Sequence, residues 1–168
     1  MQRSTRRFGL VALIAGLVCL DGYSAVTARG QASQAKDPFV GTWVLNRVKS
    51  EFSGAVPEKR KTTFETTADG SIKHVTETVI ANGSTDRVEY TAKLDGRDVP
   101  IINSFLSVVS LKRIDARTVE RTGKLRGMVI ETSTRTVSAD GQTLTITTVG
   151  SNDGEEYFST QVFEREKP

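Results

Sequence analysis

Cysteine and histidine are almost absent from this chain, and their scarcity limits its chemistry. The only cysteine, Cys19, lies inside an apolar N-terminal run, so the remainder has no disulfide and no cysteine-based metal site. A catalytic triad would have to use the single histidine, His74, and no Gly-x-Ser-x-Gly sequence accompanies it. The sequence therefore predicts a protein that is not an enzyme and has no metal or other cofactor. A haem held by His74 alone is the weaker alternative.

Long apolar runs are also scarce. The longest, residues 8–20, has 13 residues, whereas a membrane-spanning helix needs about 17 to 25. Arg3, Arg6 and Arg7 precede this run, and a basic head followed by a short apolar core is typical of a secretory signal peptide. We expect residues 1–32 to be cleaved and the protein to be secreted or periplasmic.

Small residues give two candidate cleavage sites, after Ala32 or, alternatively, after Ala28. The first leaves a short polar segment, residues 33–38, ahead of a domain over residues 39–166. The residues before Cys19 do not match a lipoprotein signal, so the sequence predicts no stable membrane anchor.

Excess positive charge is confined to the predicted leader. Of 23 Lys and Arg residues, Arg3, Arg6, Arg7 and Arg29 precede residue 33, as does Asp21 among 20 acidic residues. The remaining chain therefore has no net charge, and no basic stripe runs along it. A nucleic-acid partner is not expected.

Helical periodicity is absent from the remainder, which consists of short alternating segments separated by turn residues such as Asp-Gly and Asn-Gly. Threonine is frequent in these segments and favours strands. With the opening segment at residues 39–45, about ten strands are predicted, the others over residues 60–67, 71–80, 85–93, 98–101, 107–114, 118–124, 128–138, 142–149 and 156–166.

Tight turns between successive strands predict an antiparallel meander. Closure satisfies the backbone groups at its two edges, so we expect an all-β fold, a single antiparallel up-and-down β-barrel of about 8–10 strands. A sandwich is the alternative.

The segment at residues 39–45 contains the only tryptophan. We expect Gly41 to allow close backbone packing and Trp43 to plug one end of the barrel. Arg165, near the end of the last strand, either stacks on Trp43 or is solvated.

Residues 39–45 resemble the opening strand of fatty-acid-binding proteins, and Gly41-Thr42-Trp43 is similar to the Gly-x-Trp strand of lipocalins. Nearly all of residues 37–166 looks like the secreted bacterial lipocalin-like domains, most clearly in residues 90–96, 109–115 and 135–141. The resemblance implies a calycin-type barrel that binds a small hydrophobic or amphipathic ligand.

One departure from this resemblance concerns the ligand. Fatty-acid-binding proteins carry an Arg and a Tyr in the last strand that hold the ligand carboxylate, and the matching positions here are Gln161 and Phe163. Gln161 has no charge and Phe163 has no hydroxyl. A neutral or differently oriented ligand is therefore expected.

Candidate ligand contacts follow from the alternation within the strands. The predicted interior and rim residues are Trp43, Tyr90, Leu94, Leu111, Met128, Ile146, Gln161 and Phe163. The unusually apolar loop at residues 100–106 is either tucked into the rim or a portal, through Ile101, Ile102, Phe105 and Leu106. Any of Arg113, Arg121 and Arg135 that points inward could pair with an acidic ligand group.

Two functions follow, and cavity size distinguishes them. The first is a secreted binding protein for a small hydrophobic molecule, which an enclosed cavity of roughly 300–1,000 Å³ would favour. The second is a non-catalytic structural or protein-interaction barrel, which a filled interior with Ile102 and Phe105 exposed would favour.

Overall fold

The computed structural model describes residues 36–152 and 154–167. The predicted signal peptide, its cleavage sites, Cys19 and the first three residues of the polar segment lie outside the described residues. Within the described part, no helix is both long enough and apolar enough to cross a bilayer.

Eleven strands and one 3₁₀ turn make up the fold. The turn, Arg47–Lys49, follows the first strand, where the sequence predicted at most a helical turn. The strands are β1 (Gly41–Leu45), β2 (Glu51–Phe52), β3 (Lys59–Thr66), β4 (Ile72–Val79), β5 (Thr85–Ala92), β6 (Val99–Pro100), β7 (Val108–Asp115), β8 (Thr118–Leu125), β9 (Met128–Val137), β10 (Thr143–Asn152) and β11 (Glu155–Arg165).

All strand pairs are antiparallel, and the long strands follow one another around a nearly closed barrel. The order is β5-β4-β3-β1-β11-β10-β9-β8-β7-β6, with β2 paired to β11. The predicted all-β barrel is confirmed. The count exceeds the predicted 8–10 because of the two-residue strand β2, which the sequence did not predict, whereas the equally short β6 lies within the predicted strand at residues 98–101.

The two ends of this order are β5 and the short β6. The chain at β5 meets the chain at β6 and β7 through a few backbone hydrogen bonds rather than a full ladder. Ile102 N donates to Glu89 O at 2.9 Å, and Gly96 N donates to Leu111 O at 2.7 Å. The apolar loop at residues 100–106 thus begins at this junction. The junction is the weakest lateral contact of the barrel, because ladder pairing is what holds neighbouring strands together.

Side chains that point inward form rows across the strands, since every second residue of a strand faces the same side. The row nearest one end joins Val137, Leu144 and Phe163 on β9, β10 and β11, all of them fully buried. Going towards the other end, the next rows place Arg135 beside Ile146, and Ser133 beside Thr148. The interior therefore changes from apolar to polar along the barrel axis.

The apolar end is sealed by the contact between the first and last strands. Trp43 is 0% exposed and donates its indole N–H to Phe39 O at 2.9 Å. The guanidinium of Arg165 lies 4.0 Å from the centroid of the Trp43 ring. It donates to the backbone carbonyl oxygens of Pro38, Val40 and Gly141. The predicted plug is thus observed, and Arg165 stacks on it rather than pointing to solvent.

The position of Gly41, next to the guanidinium of Arg165, has no room for a side chain. Its φ of 137° lies in the region that residues with a side chain avoid, and a Cβ there would lie 2.5 Å from Arg165 Nη1. This is the close approach that the Gly-x-Trp sequence predicted.

Replacing Gly41 by alanine should lower the free energy of unfolding by about 2 kcal/mol or more, through backbone strain and displacement of Arg165. Urea unfolding monitored by Trp43 fluorescence measures this. Gly54→Ala is the matched control, because Gly54 has open space around it and no positive φ. Equal stability of the two variants would contradict this account of the closed end.

Candidate functional site inside the barrel

Two arginines project into the interior from neighbouring strands. Arg121 on β8 is 7% exposed and Arg135 on β9 is 5% exposed. Each shares its strand face with core valines, Val119 and Val137, so strand alternation directs the guanidinium groups into the barrel. The hypothesis that some of the mid-strand arginines point inward holds for these two.

Arg121 has an anionic partner. It forms an ion pair and a hydrogen bond with Glu131 on β9, and the other carboxylate oxygen of Glu131 accepts from the Tyr157 hydroxyl at 2.7 Å. Burial acts to raise the pKa of Glu131, but Arg121 and Tyr157 hold it below the usual value. Burial acts to lower the pKa of Arg121, yet the electrostatic interactions with Tyr90 and Glu131 raise it. Both groups of the pair are therefore charged at neutral pH.

Arg135 has no such partner among the described residues. Its Nη1 donates to the Tyr90 hydroxyl at 2.8 Å, and its buried Nε has no hydrogen-bond acceptor. Burial lowers the pKa of Arg135, and the nearby charge of Arg121 acts in the same direction. A guanidinium nevertheless stays charged in proteins, so a buried cation without an ion-pair partner among the described residues lies at the centre of the barrel.

His74 adds a third under-satisfied group to the same cluster. Its ring lies between Phe64 and Tyr90, with centroids 4.7 and 4.6 Å away, and its Nε2 hydrogen-bonds Thr62 Oγ1 at 2.8 Å. Its buried Nδ1 has no partner, like the Nε atoms of Arg121 and Arg135. Unpaired buried polar atoms are costly and rare, so a cluster of them marks a candidate binding site.

A third arginine, Arg60, lies on β3 just beyond the residues that pair with β1. It donates to Gln161 Oε1 at 2.6 Å and to Thr78 Oγ1 at 3.0 Å. Gln161 thus faces the interior, as predicted, and is bound to a cation from another strand. Arg60, Arg121 and Arg135, on β3, β8 and β9, supply cationic side chains that the Gln161 position does not. The expectation of a neutral or differently oriented ligand stays a prediction.

The space enclosed next to Arg135 is small. A cavity of about 10 Å³ lies at the apolar end, among residues that include Phe39, Phe64 and Leu111. This is about the volume that one water molecule requires. At the apolar end, side chains fill the barrel.

Most predicted interior residues lie where the sequence placed them. Trp43, Tyr90, Leu111 and Phe163 are at most 2% exposed, and the partly buried Leu94 and Ile146 pack against the core that they form. The prediction for Met128 was wrong as an interior position. Its side chain is 62% exposed at the start of β9, beside the hairpin turn.

The apolar loop divides into two parts. Leu106 is 4% exposed and Ile101 packs against the core, as a loop tucked into the rim requires. Ile102 and Phe105 are 57% and 58% exposed, as a portal or docking surface requires. The loop lies at the polar end of the barrel, since a Cβ on Gly123, in the row of Glu131, would lie 2.6 Å from Leu106 Cδ1.

Arg113 is the exception among the three mid-strand arginines. It lies at the apolar end, half-buried, where it pairs with Asp37 and its guanidinium is 5.3 Å from the centroid of the Phe39 ring. Its partner is a carboxylate of this chain, so Arg113 helps to seal that end.

Sequence reasoning missed Arg60, Glu131 and Tyr157. Alternation could have placed the first two, because Arg60 shares a strand face with Phe64, and Glu131 shares one with Arg135 and Val137. The contact between Glu131 and Tyr157 had no sequence signal, because it spans strand β10 through the gap that Gly150 leaves.

Comparison with known proteins adds information about the fold. No protein-family model matches the chain, and no curated protein matches it in sequence. The fluorescent protein UnaG matches in structure with a TM-score of 0.52 and 15% identity, over 76% of this chain and 97% of UnaG. As-p18, an extracellular fatty acid binding protein, matches with a TM-score of 0.51 and 14% identity, over 77% of this chain and 97% of As-p18.

At such identities these matches establish the fold alone. Together with the sealed Trp43 end and the nearly closed sheet, they show a calycin-type barrel like that of the fatty-acid-binding proteins.

If the interior cation at Arg135 costs stability, replacing it with methionine should leave the free energy of unfolding unchanged or raise it by up to about 4 kcal/mol. Methionine keeps an unbranched stem that can pack on Phe64. Urea unfolding measures the difference.

Arg121→Met is the matched comparison, because it leaves Glu131 buried without its cation and should cost about 3–5 kcal/mol. Destabilisation of similar size in both variants would show that Arg135 is a satisfied structural residue.

His74 should make the stability depend on pH. Burial, with the charges of Arg135 and Arg121, lowers its pKa well below the ordinary 6.5, so the folded protein keeps this ring neutral. Below about pH 6.5 the unfolded chain binds a proton that the folded chain does not. Stability is then full above that pH and decreases towards pH 5, by at most about 1.4 kcal/mol per pH unit.

Urea unfolding between pH 7.5 and 5 tests this for the only histidine of the chain. In His74→Gln the slope should disappear, and an unchanged slope would assign it to other groups.

Proposed function

We propose that this protein is a binding protein, not an enzyme, and that it holds a small amphipathic molecule by an acidic group inside the polar half of the barrel. The observation that carries the proposal is the buried guanidinium of Arg135, which lies next to Arg121 and has no ion-pair partner among the described residues. Burying a charge without a counter-ion costs several kcal/mol by general estimates. A ligand anion would offset that cost.

The chemistry of the cluster suits a planar or tetrahedral acid group. Arginine presents several N–H donors in a fixed fork that matches carboxylate and sulfate oxygens. The Tyr90 hydroxyl lies within hydrogen-bond distance of Arg135, and it can donate to the same group. A hydrocarbon tail would contact the apolar rows that begin at Val119 and Leu111.

A ligand of this kind would enter at the polar end, because Trp43 and Arg165 seal the other. The loop with Ile101, Ile102, Phe105 and Leu106 lies at that end and serves as the portal in this proposal. Since the enclosed cavity is about 10 Å³, interior side chains must move to admit the tail. The weakly paired junction between β5 and the chain at β6 and β7, next to the loop, is where such movement disturbs the fewest hydrogen bonds.

The structural likeness to As-p18, whose own description is an extracellular fatty acid binding protein, supports this class of function. The basic, apolar N-terminal sequence supports a secreted or periplasmic location. The neutral overall charge of residues 33–168 gives no support for a nucleic-acid partner.

A filled structural or protein-interaction barrel is the second candidate. The small enclosed cavity and the exposure of Ile102 and Phe105 favour it. Beyond the loop, the exposed Val149 and Phe158 lie opposite each other on β10 and β11, beside a surface groove of about 520 Å³.

Competition between an acid and an alcohol of the same chain length tests the proposal. Displacement of a fluorescent hydrophobic probe should show dodecanoate binding at least about ten times more tightly than 1-dodecanol, because a charge-assisted hydrogen bond contributes about 1.5–3 kcal/mol. Arg135→Met should remove this preference.

The control, Lys112→Met, removes an exposed cation from the outer face of β7 and should preserve the preference. Failure of both compounds to bind the wild-type protein would reject this proposal and favour the interaction barrel.

A further inference from the structure

Glu131 occupies a specially built position near the mouth of the barrel. Its cross-strand neighbours are Gly123 on β8 and Gly150 on β10, and Gly150 in turn lies opposite Tyr157 on β11. The row therefore carries a carboxylate between two residues without side chains. This row lies nearer the mouth than the arginines, by one row for Arg121 and by two rows for Arg135. Successive rows are about 7 Å apart, because two strand residues separate them.

Both glycines make room for the contacts of this carboxylate. A Cβ on Gly123 would lie 2.9 Å from Glu131 Cγ, and a Cβ on Gly150 would overlap the Tyr157 ring. Tyr157 crosses β10 through that gap to donate to Glu131, while Arg121 binds the other carboxylate oxygen. Four adjacent strands thus cooperate to hold one negative charge at a fixed place.

Any acid group that reaches Arg121 and Arg135 from the mouth meets this charge. Glu131 already uses one of the Arg121 donors, Nη1, and it repels a second anion across a poorly screened, half-buried space. Arg135 makes no ion pair with Glu131, and both arginines keep an unpaired Nε among the described residues.

From this arrangement we infer that Glu131 is an internal competitor of the ligand's acid group, and that it sets how tightly acidic ligands bind. The inference rests on the proposed function, since it presumes that an acid group binds at the arginines. Glu131 is a specificity-determining residue in this scheme: it weakens binding of anions selectively and leaves binding of neutral molecules of the same length unaffected.

Neutralising this carboxylate tests the inference. Glu131→Gln should tighten dodecanoate binding at least tenfold while changing 1-dodecanol binding less than threefold, in the same probe-displacement assay. Glu156→Gln removes the same charge from an exposed position on β11 and should change neither affinity.

A second pair of variants covers the case in which Glu131→Gln does not fold alone. In the Arg121→Gln background there is no ion pair to break, and adding Glu131→Gln should again tighten dodecanoate binding.

Unchanged or weaker dodecanoate binding on neutralising Glu131, with wild-type binding intact, overturns the inference alone. Absence of dodecanoate binding by the wild-type protein overturns the proposed function, and the inference with it.

Discussion

The barrel depends on one interaction, the stack of Arg165 on Trp43. It joins the first strand to the last, and the same guanidinium donates to three backbone carbonyl groups from Pro38, Val40 and Gly141, which would otherwise be difficult to satisfy at a closed end. Gly41 leaves the space that the arginine fills. Because this end is sealed, the polar end is the route by which a molecule could reach the interior.

The arginines of the interior are less completely hydrogen-bonded than Arg165. All three guanidinium nitrogens of Arg165 donate, whereas Arg121 and Arg135 each bury a donor with no partner among the described residues. A fold selected for stability alone would replace such groups with apolar ones, since buried charges seldom repay their desolvation. The two arginines at the centre of the barrel, with a carboxylate one row nearer the mouth than Arg121, are the features on which the proposed binding of an acidic molecule rests.

The sequence predicted the architecture well because its signals are local. Alternation and turn residues located the long strands, and Gly41 and Trp43 identified the sealed end. The site was less predictable, since it depends on which face each strand presents and on gaps at Gly123 and Gly150. Alternation could have turned Arg121 and Arg135 inward, but the pairing of Arg121 rather than Arg135 with Glu131 depends on the register of the β8–β9 hairpin. Met128 was misplaced because it lies at the exposed hairpin end of β9.

The most direct measurement is native mass spectrometry of the protein purified without denaturation, with organic extraction and identification of whatever it carries. The account predicts one acidic amphiphile per chain, present on the wild-type protein and missing from Arg135→Met. A bare protein mass for both, persisting after incubation with a panel of acidic lipids, would contradict it.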